Sequence, residues 1–508
     1  MLTIQDIYNT QSKYGVGNVI EDKDAVPYEQ YVVSCRKFLS DRIKNEYYTW
    51  DRKKQKDYNI NLINTFVQKA GRLVEGYVDK NGELMQDELI DRLCQDIIDY
   101  GVLKAAFEDE GVQEIQVNDF KTVYVVKGGK AILYIDERTG KPYQFVSNEE
   151  LQSLVNRIIY TPGGNAPRMT VTNPLMNTRT AAKGYRLSAV NDSAITRDMT
   201  PGFDFPVTSV TIRKYSTSRL TFTDFEKFGS LVPRMSRFLR LCGRVDTRLC
   251  CVGPTSSGKT TLLNALVWEI PRDTRIILVQ NPTEIMLYDR DPVTGANRRN
   301  VIHWEAQDIE ESKKNDPSTP TMANFIAHAL RNTPDIIIPG EMRTPEEFNQ
   351  ANRALKTGHR VLTTFHAEDS VDAISRFATE LATVGGDVTD HMRSVANSID
   401  LIVCQKKLDN GQRKVMEISE LTGALNKETG MPEVNTVFQF VPVTSDDGQI
   451  GGYFEQVNPI SSALHRKFNL SGIEAWRLDE FLNPPARIPG KSNLPADDPE
   501  PTPPAKEE

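Results

Sequence analysis

The sequence predicts an α/β chain: a mostly parallel sheet flanked by helices, preceded by a small α+β domain and a helical N-terminal extension. Three observations carry this. Beyond residue 228, short apolar runs alternate with helical segments, the pattern of strands joined by helical crossovers. Between 112 and 136, "VQEIQVND" and "TVYVVKGGKAILYID" alternate apolar and polar residues around a glycine turn. Before residue 110 the texture is charged, with apolar residues at helical spacing.

Taken in order, residues 1–30 read as polar and irregular, and 31–75 as helical. The run "DRKKQKD" at 51–57 reads as a solvated helix face rather than a binding patch. Residues 86–110 form a clearer amphipathic helix pattern. "KGGK" marks a hairpin. "SNEELQSLVNRIIY" at 147–160 reads as a helix opened by a capping box, Ser147 with Glu150. "VTSVTIRKYS" at 207–216 is a strand. The predicted organisation is a helical extension over 1–106, an α+β domain over 107–214, a linker over 215–227 and an α/β domain over 228–482. The tail 483–508, rich in proline and charge, is expected to be disordered.

The chain has 508 residues, 39% hydrophobic and 26% charged, with a formal net charge of −8. That balance argues against a nucleic-acid carrier. The six cysteines are Cys35, Cys94, Cys242, Cys250, Cys251 and Cys404, with no C-x-x-C pair, so neither a disulfide framework nor a zinc site is expected. There is no apolar run of about 18 residues and no signal-like N-terminus, so any membrane role is expected to be peripheral.

The chemistry begins at "GPTSSGKTTLLNAL", 253–266. Gly253, Gly258, Lys259 and Thr260 fit G-x-x-x-x-G-K-[ST]. The glycines let backbone N–H groups curl around phosphates, the lysine reaches the β- and γ-phosphates, and the threonine hydroxyl ligates Mg²⁺. The flanks suit it: the strand "TRLCCVG" before, a helix after. Further apolar strands are "RIILVQ", "DIIIPG", "RVLTTFH" and "SIDLIVCQKKL". "PDIIIPGEMR" delivers Glu341 to the carboxyl edge of the sheet, where it can orient or deprotonate an attacking water. "TGHRVLTTFHAEDS" places His359 and His366 at opposite ends of a strand, with His366 at the carboxyl end, facing the same crevice.

These three blocks, in this order, resemble the ATPases of the type II/type IV secretion superfamily. "VQEIQVND…VYVVKGGK", "NPLMNTRTAAKGYRLSAV", "VTIRKYS" and "ANSIDLIVCQKKLDNGQRKVMEISELTG" are similar to the tight-adherence (Flp-type) pilus assembly and conjugative traffic branch. The lack of C-x-x-C pairs fits that branch better than the zinc-bearing one. The resemblance covers roughly 85–475. It implies a RecA-like ATPase domain after a PAS-like N-terminal domain, ATP and Mg²⁺ as cofactors, and a cytoplasmic homo-hexamer docked on an inner-membrane platform protein of a secretion or pilus machine. ATP-driven domain closure would be its output. The implied nucleotide contacts are Gly253, Pro254, Thr255, Ser256, Ser257, Gly258, Lys259, Thr260 and Thr261, with Thr260 on the metal. The implied catalytic set is Glu341, His366, Glu284 and the N-terminal domain's arginines Arg179, Arg186 and Arg213. No zinc is implied, and nucleic acid is not the expected direct substrate.

Two departures stand out. In "ILVQNPTEIML", Gln280 and Asn281 replace the usual Glu and Asp, while Glu284 is retained. Loss of negative charge beside metal or water makes slow hydrolysis or partner dependence an expectation. The segment 288–321 is longer than a connection needs and reads as a solvated loop, with "ANRRNVIHWE" a candidate ring contact. A nucleotide-gated scaffold with little hydrolysis and a DNA-translocating ATPase remain as alternatives.

Overall fold

A computed structural model describes residues 25–42, 52–97, 100–135, 140–145, 147–159, 169–180, 184–195, 207–214, 219–281, 283–306, 318–426, 431–444, 450–494 and 498–502. The expected irregular segment 1–24 lies outside them. The chain divides into two compact units, Met1–Ser216 and Thr217–Glu508.

The first unit opens with three helices, α1 (Tyr28–Ser40), α2 (Arg52–Ala70) and α3 (Gln86–Ile97). Their apolar residues recur one turn apart, Cys35 and Leu39, Ile63 and Val67, Leu89 and Leu93, and meet in one small core. Lys54, Lys56 and Asp57 are exposed, as expected of a solvated face. The helix expected over 86–110 is shorter: α3 stops at Ile97, and a separate turn of helix, α4, runs Lys104–Glu108.

A six-stranded antiparallel sheet follows, in the order β3-β2-β1-β6-β5-β4. Its strands are β1 (Val112–Asp119), β2 (Thr122–Lys127), β3 (Lys130–Leu133), β4 (Leu175–Arg179), β5 (Arg186–Val190) and β6 (Ser209–Arg213). Gly128 and Gly129, at φ of 57° and 78°, make the two-residue turn between β2 and β3. One face of the sheet, with Ile115, Val117, Val123, Leu187 and Ile212, packs on Leu151, Leu154 and Ile158 of α5 (Asn148–Ile158). The Ser147 hydroxyl accepts from Glu150 N at 3.3 Å, so the N-cap forms. The return arm does not complete a capping box; the Glu150 carboxylate pairs with Arg36 of α1 instead. The segment expected as an arginine-bearing loop contains the antiparallel pair β4–β5.

The second unit opens with α6 (Phe222–Lys227), whose capping box joins Thr221 and Asp224. A linker was expected here, yet Phe222 and Phe225 are buried in the core. Then come α7 (Pro233–Arg244), β7 (Leu249–Val252), α8 (Lys259–Val267), β8 (Ile276–Gln280), β9 (Val301–Glu305), α9 (Met322–Ala329), β10 (Ile336–Pro339), α10 (Pro345–Lys356) and β11 (Arg360–Phe365). After these run α11 (Ser370–Val384), α12 (Val388–Ser398), β12 (Leu401–Lys407), β13 (Arg413–Leu425), β14 (Pro432–Thr444), β15 (Ile450–Gln456), α13 (Ser462–Leu470) and α14 (Asp479–Leu482). The sheet order is β15-β14-β13-β12-β7-β11-β10-β8-β9. Neighbours from β12 to β9 are parallel, and β13 to β15 add an antiparallel flank. This is the RecA-like arrangement expected. β7, β8, β10 and β11 are buried throughout, which is why they read as unbroken apolar runs.

Two further stretches depart from the expectation. The segment expected as a solvated loop from 288 contributes the edge strand β9, parallel to β8. Within it the Arg299 side chain is buried; it donates to Ile270 O at 3.0 Å and Trp268 O at 2.8 Å, capping the C-terminal end of α8. Within the segment 483–508, where disorder was expected, described residues are packed: Leu494 joins the core, and the Asn493 side chain donates to Gln456 O at 2.9 Å. Asp498 pairs with Arg234 at 2.7 Å and Arg237 at 2.8 Å, both on α7. Among the described residues, no helix is long and apolar enough to cross a membrane.

Candidate functional site

β7 lies between β11 and β12, so its carboxyl end opens in mid-sheet. Gly253 leaves that end at a φ of 151°, and a Cβ there would come within 2.0 Å of Gln405 O on β12. No other residue fits so close an approach. Gly258, at a φ of 97°, turns the chain into α8 against the Arg413 Cδ, which a Cβ would meet at 3.2 Å. Between them Ser256 takes a left-handed φ of 63°, and Arg413 Nε donates to its carbonyl at 3.1 Å. The loop therefore delivers the free N–H groups of a helix N-terminus, a ready anion site.

Lys259, the first residue of α8, is buried to 6% exposure. Its Nζ donates to Pro254 O at 2.9 Å and lies 3.4 Å from His366 Nδ1. Burial pulls its pKa below the usual lysine value, against the pull of Glu341 and Glu284. His366 Nε2 lies 3.1 Å from Glu341 Oε1. An ammonium only donates and a carboxylate only accepts, so the imidazole between them fits as the neutral Nε2–H tautomer. Burial, with the Lys259 charge beside it, accordingly holds the His366 pKa below 6.5. Lys259, His366 and Glu341 thus form one hydrogen-bonded chain across three strand ends.

Arg343 completes the carboxylate's surroundings: its Nε donates to Glu341 Oε2 at 2.8 Å, and its Nη2 reaches the same oxygen. Burial pushes the Glu341 carboxyl up, but Arg343, His366 and Lys259 together hold it below its ordinary value. Neighbouring bonds fix the loop after β10: Met342 N donates to Thr364 O at 2.9 Å and Thr364 Oγ1 to Gly340 O at 2.8 Å. A cleft beside the phosphate loop is lined by Thr260, Gln280, Asn281, Glu284, Glu341 and Arg343. Its hydroxyl and carboxylate oxygens are hard donors of the kind Mg²⁺ takes.

The structure therefore brings together Lys259, Thr260, Glu284, Glu341 and His366, with the loop Gly253–Gly258 curled beside them. Thr261 is exposed on α8. His359 stands at the far end of β11, its Nδ1 3.0 Å from Thr357 Oγ1, away from this chain of bonds. Gln280 lines the cleft, and its carboxamide is tied to backbone atoms of the 284–285 turn. Arg179, Arg186 and Arg213 belong to the first unit. There Arg179 pairs with Arg186 across β4–β5, and Arg186 with Arg213 across β5–β6. Directly opposed residues share a sheet face, so the three make one cationic row. Sequence reasoning gave no role to Arg343 or Arg413. Arg343 had a signal, two residues past Glu341; Arg413 had none, since only the β12–β13 pairing returns it to the phosphate loop.

Residues 137–439 match the family described as Type II/IV secretion system protein. Among curated relatives, the protein transport protein HofB homolog of Haemophilus influenzae is 30% identical over 183 residues, 36% of this chain and 34% of that protein. The type IV secretion system protein VirB11 of Brucella suis is 29% identical over 189 residues, 33% of this chain and 50% of that protein. The chain spans from 34% to 62% of the length of the curated relatives it matches. Among solved structures, the ATPase DotB of Legionella pneumophila aligns over 65% of this chain and 81% of its own, at 19% identity and a TM-score of 0.45. The matched segment takes in the arginine row, the phosphate loop, Glu284, Glu341 and His366, and the chain belongs to the type II/IV secretion system protein family.

Proposed function

We propose that the chain is a Mg-ATP-dependent ATPase that works as a cytoplasmic homo-hexamer on an inner-membrane platform protein, powering a secretion or pilus machine of the tight-adherence or conjugative kind. The observation that carries the ATPase reading is the bonded chain Lys259–His366–Glu341 set against the phosphate loop. The loop N–H groups and Lys259 bind the β- and γ-phosphates. Thr260 and Glu284 supply oxygens for Mg²⁺, which when bound neutralises phosphate charge. Glu341, ionised and aimed by Arg343, has lone pairs left to accept a proton from the attacking water. His366 links that carboxylate to Lys259, so contact of the lysine with phosphate is felt at Glu341. The cationic row Arg179–Arg186–Arg213 suits charge compensation in phosphoryl transfer. A change in how the two units close on nucleotide is the proposed mechanical output.

The alignment of relatives named for type IV secretion and protein transport supports the machine-level reading, as does the absence of C-x-x-C pairs for the branch. One feature favours a second reading, a nucleotide-gated scaffold: both oxygens of Glu341 are already engaged. The test is Mg²⁺-dependent ATP turnover by the full chain beside Lys259→Ala. Turnover that the substitution abolishes supports the motor. ATP binding and assembly without turnover supports the scaffold, and no ATP binding at all refutes both.

A further inference from the structure

The phosphate loop holds one residue in a conformation that its own side chain disfavours. Ser256 has a φ of 63°, and among the described residues only Thr333 shares a positive φ without being glycine. A left-handed backbone crowds the Cβ of any residue but glycine, so it persists only where neighbours hold it. Ser256 is exposed, so packing of its side chain does not hold it. The β12–β13 hairpin does. Arg413, the first residue of β13, donates from Nε to Ser256 O at 3.1 Å. Its stem lies against the loop two residues on, with Cδ 3.2 Å from where a Gly258 Cβ would stand. The hairpin is itself anchored. Arg413 pairs with Lys407 across the ladder, and the turn between them closes through Leu408 N to Gln412 O at 2.7 Å and Gly411 N to Leu408 O at 2.8 Å. Further along β13, Lys414 Nζ donates to Gly229 O at 2.7 Å and Val415 N to Ser230 O at 2.8 Å.

We infer that Arg413 is a positioning residue for the phosphate loop: by hydrogen-bonding the Ser256 carbonyl it keeps that residue left-handed, and so sets the loop N–H groups before nucleotide arrives. This rests on the ATP-binding reading of the same loop. Such a loop grips an anion through successive backbone N–H groups, and the direction of each follows from the φ and ψ beside its rigid peptide plane. If Ser256 relaxed to a negative φ, the peptides on both sides of it would turn, and their N–H groups would leave their present directions. A hydrogen bond from a charged donor is large enough to offset the left-handed cost of one residue. Glycine at 256 would need no such help, because it takes positive φ without strain. The chain thus carries a serine where a glycine would be unstrained, and an arginine 157 positions away offsets the difference. A direct contact of Arg413 with nucleotide is the competing role. Glycine at 256 separates the two: it removes the need for positioning and leaves a direct contact untouched.

The test is a double-mutant cycle in Mg-ATP affinity and steady-state turnover on the full chain: wild type, Arg413→Met, Ser256→Gly and the Ser256→Gly/Arg413→Met pair. Methionine keeps the stem against Gly258 and deletes the donor. Arg413→Met is expected to weaken ATP binding ~10-fold, the scale on which a left-handed backbone disfavours a non-glycine residue. KM should rise by more than kcat falls, since bound phosphates hold the loop once ATP is in place. In the Ser256→Gly background the same substitution should change affinity by less than ~3-fold. A variant that has merely misfolded is not rescued in this way. Equal losses in the two backgrounds would assign Arg413 to a direct contact or to general stability and overturn the inference, as would wild-type affinity in Arg413→Met. If wild type binds ATP without hydrolysing it, the hydrolysis reading fails alone and the affinity cycle still decides. Wild type that binds no ATP overturns both.

Discussion

Asp498 sits in the segment whose composition reads as disordered, and its removal should destabilise the second unit. Its carboxylate reaches Arg234 at 2.7 Å and Arg237 at 2.8 Å, and its side chain is 9% exposed against 11% and 12% for the arginines. Asp498→Asn takes away the charge and keeps the shape. Breaking a buried pair by neutralising one partner costs ~3–5 kcal/mol, because the other charge stays behind. Glu480 still contacts both guanidinium groups, at 3.3 Å from Arg234 and 2.5 Å from Arg237, so the lower end applies, ~3 kcal/mol. For a unit of this size that corresponds to a fall in Tm of about 5 °C. The assay is thermal unfolding of the full chain by calorimetry, with the transition of the second unit followed. There is also a pH signature. Burial raises the Asp498 carboxyl, but the two arginines outweigh it and hold the folded-state pKa below 3.8. The contribution is therefore present above that value and lost as pH falls through the lowered one, so wild type and Asp498→Asn should converge in strong acid. A variant that melts with wild type at neutral pH would refute the reasoning and return 498 to an unstructured tail.

Two further outcomes follow from the site. His366 is held neutral with a pKa below 6.5, so the acid limb of ATP turnover should lie below that value and disappear in His366→Asn; a limb centred above neutrality in wild type would contradict the tautomer. Gly253→Ala places a methyl 2.0 Å from Gln405 O and must shift the phosphate loop, so turnover should fall by ~100-fold, the scale of a small misplacement of reacting groups. Wild-type turnover by that variant would show that the loop is not fixed by β12.

What could be read in the sequence follows from burial. β7, β8, β10 and β11 are covered on both faces, so their apolar runs identify them without context. β9 could not be read so: as an edge strand every residue of "VIHWE" is only half-buried, and it carries His303 and Glu305. The phosphate loop was legible because the glycine positions and the lysine are set by local geometry. The bonding of Gln280 was not, because its amide meets its partners only when the 284–285 turn folds back on β8. Likewise composition marked the tail as solvated, while the Asp498–Arg234 contact joins residues 264 positions apart. The arginines 179, 186 and 213 were named by resemblance; their alignment in one row is a matter of strand register, which no local pattern specifies.

The proposed ATPase rests most directly on Glu341, whose carboxylate touches both His366 and Arg343. The decisive measurement is ATP turnover and ATP affinity of Glu341→Gln beside wild type, on the purified full chain. The account predicts that the variant keeps ATP binding and loses turnover by ~100-fold or more, the contribution of a positioned general base. Equal turnover by the two proteins would contradict it, and would remove Glu341 from the chemistry altogether.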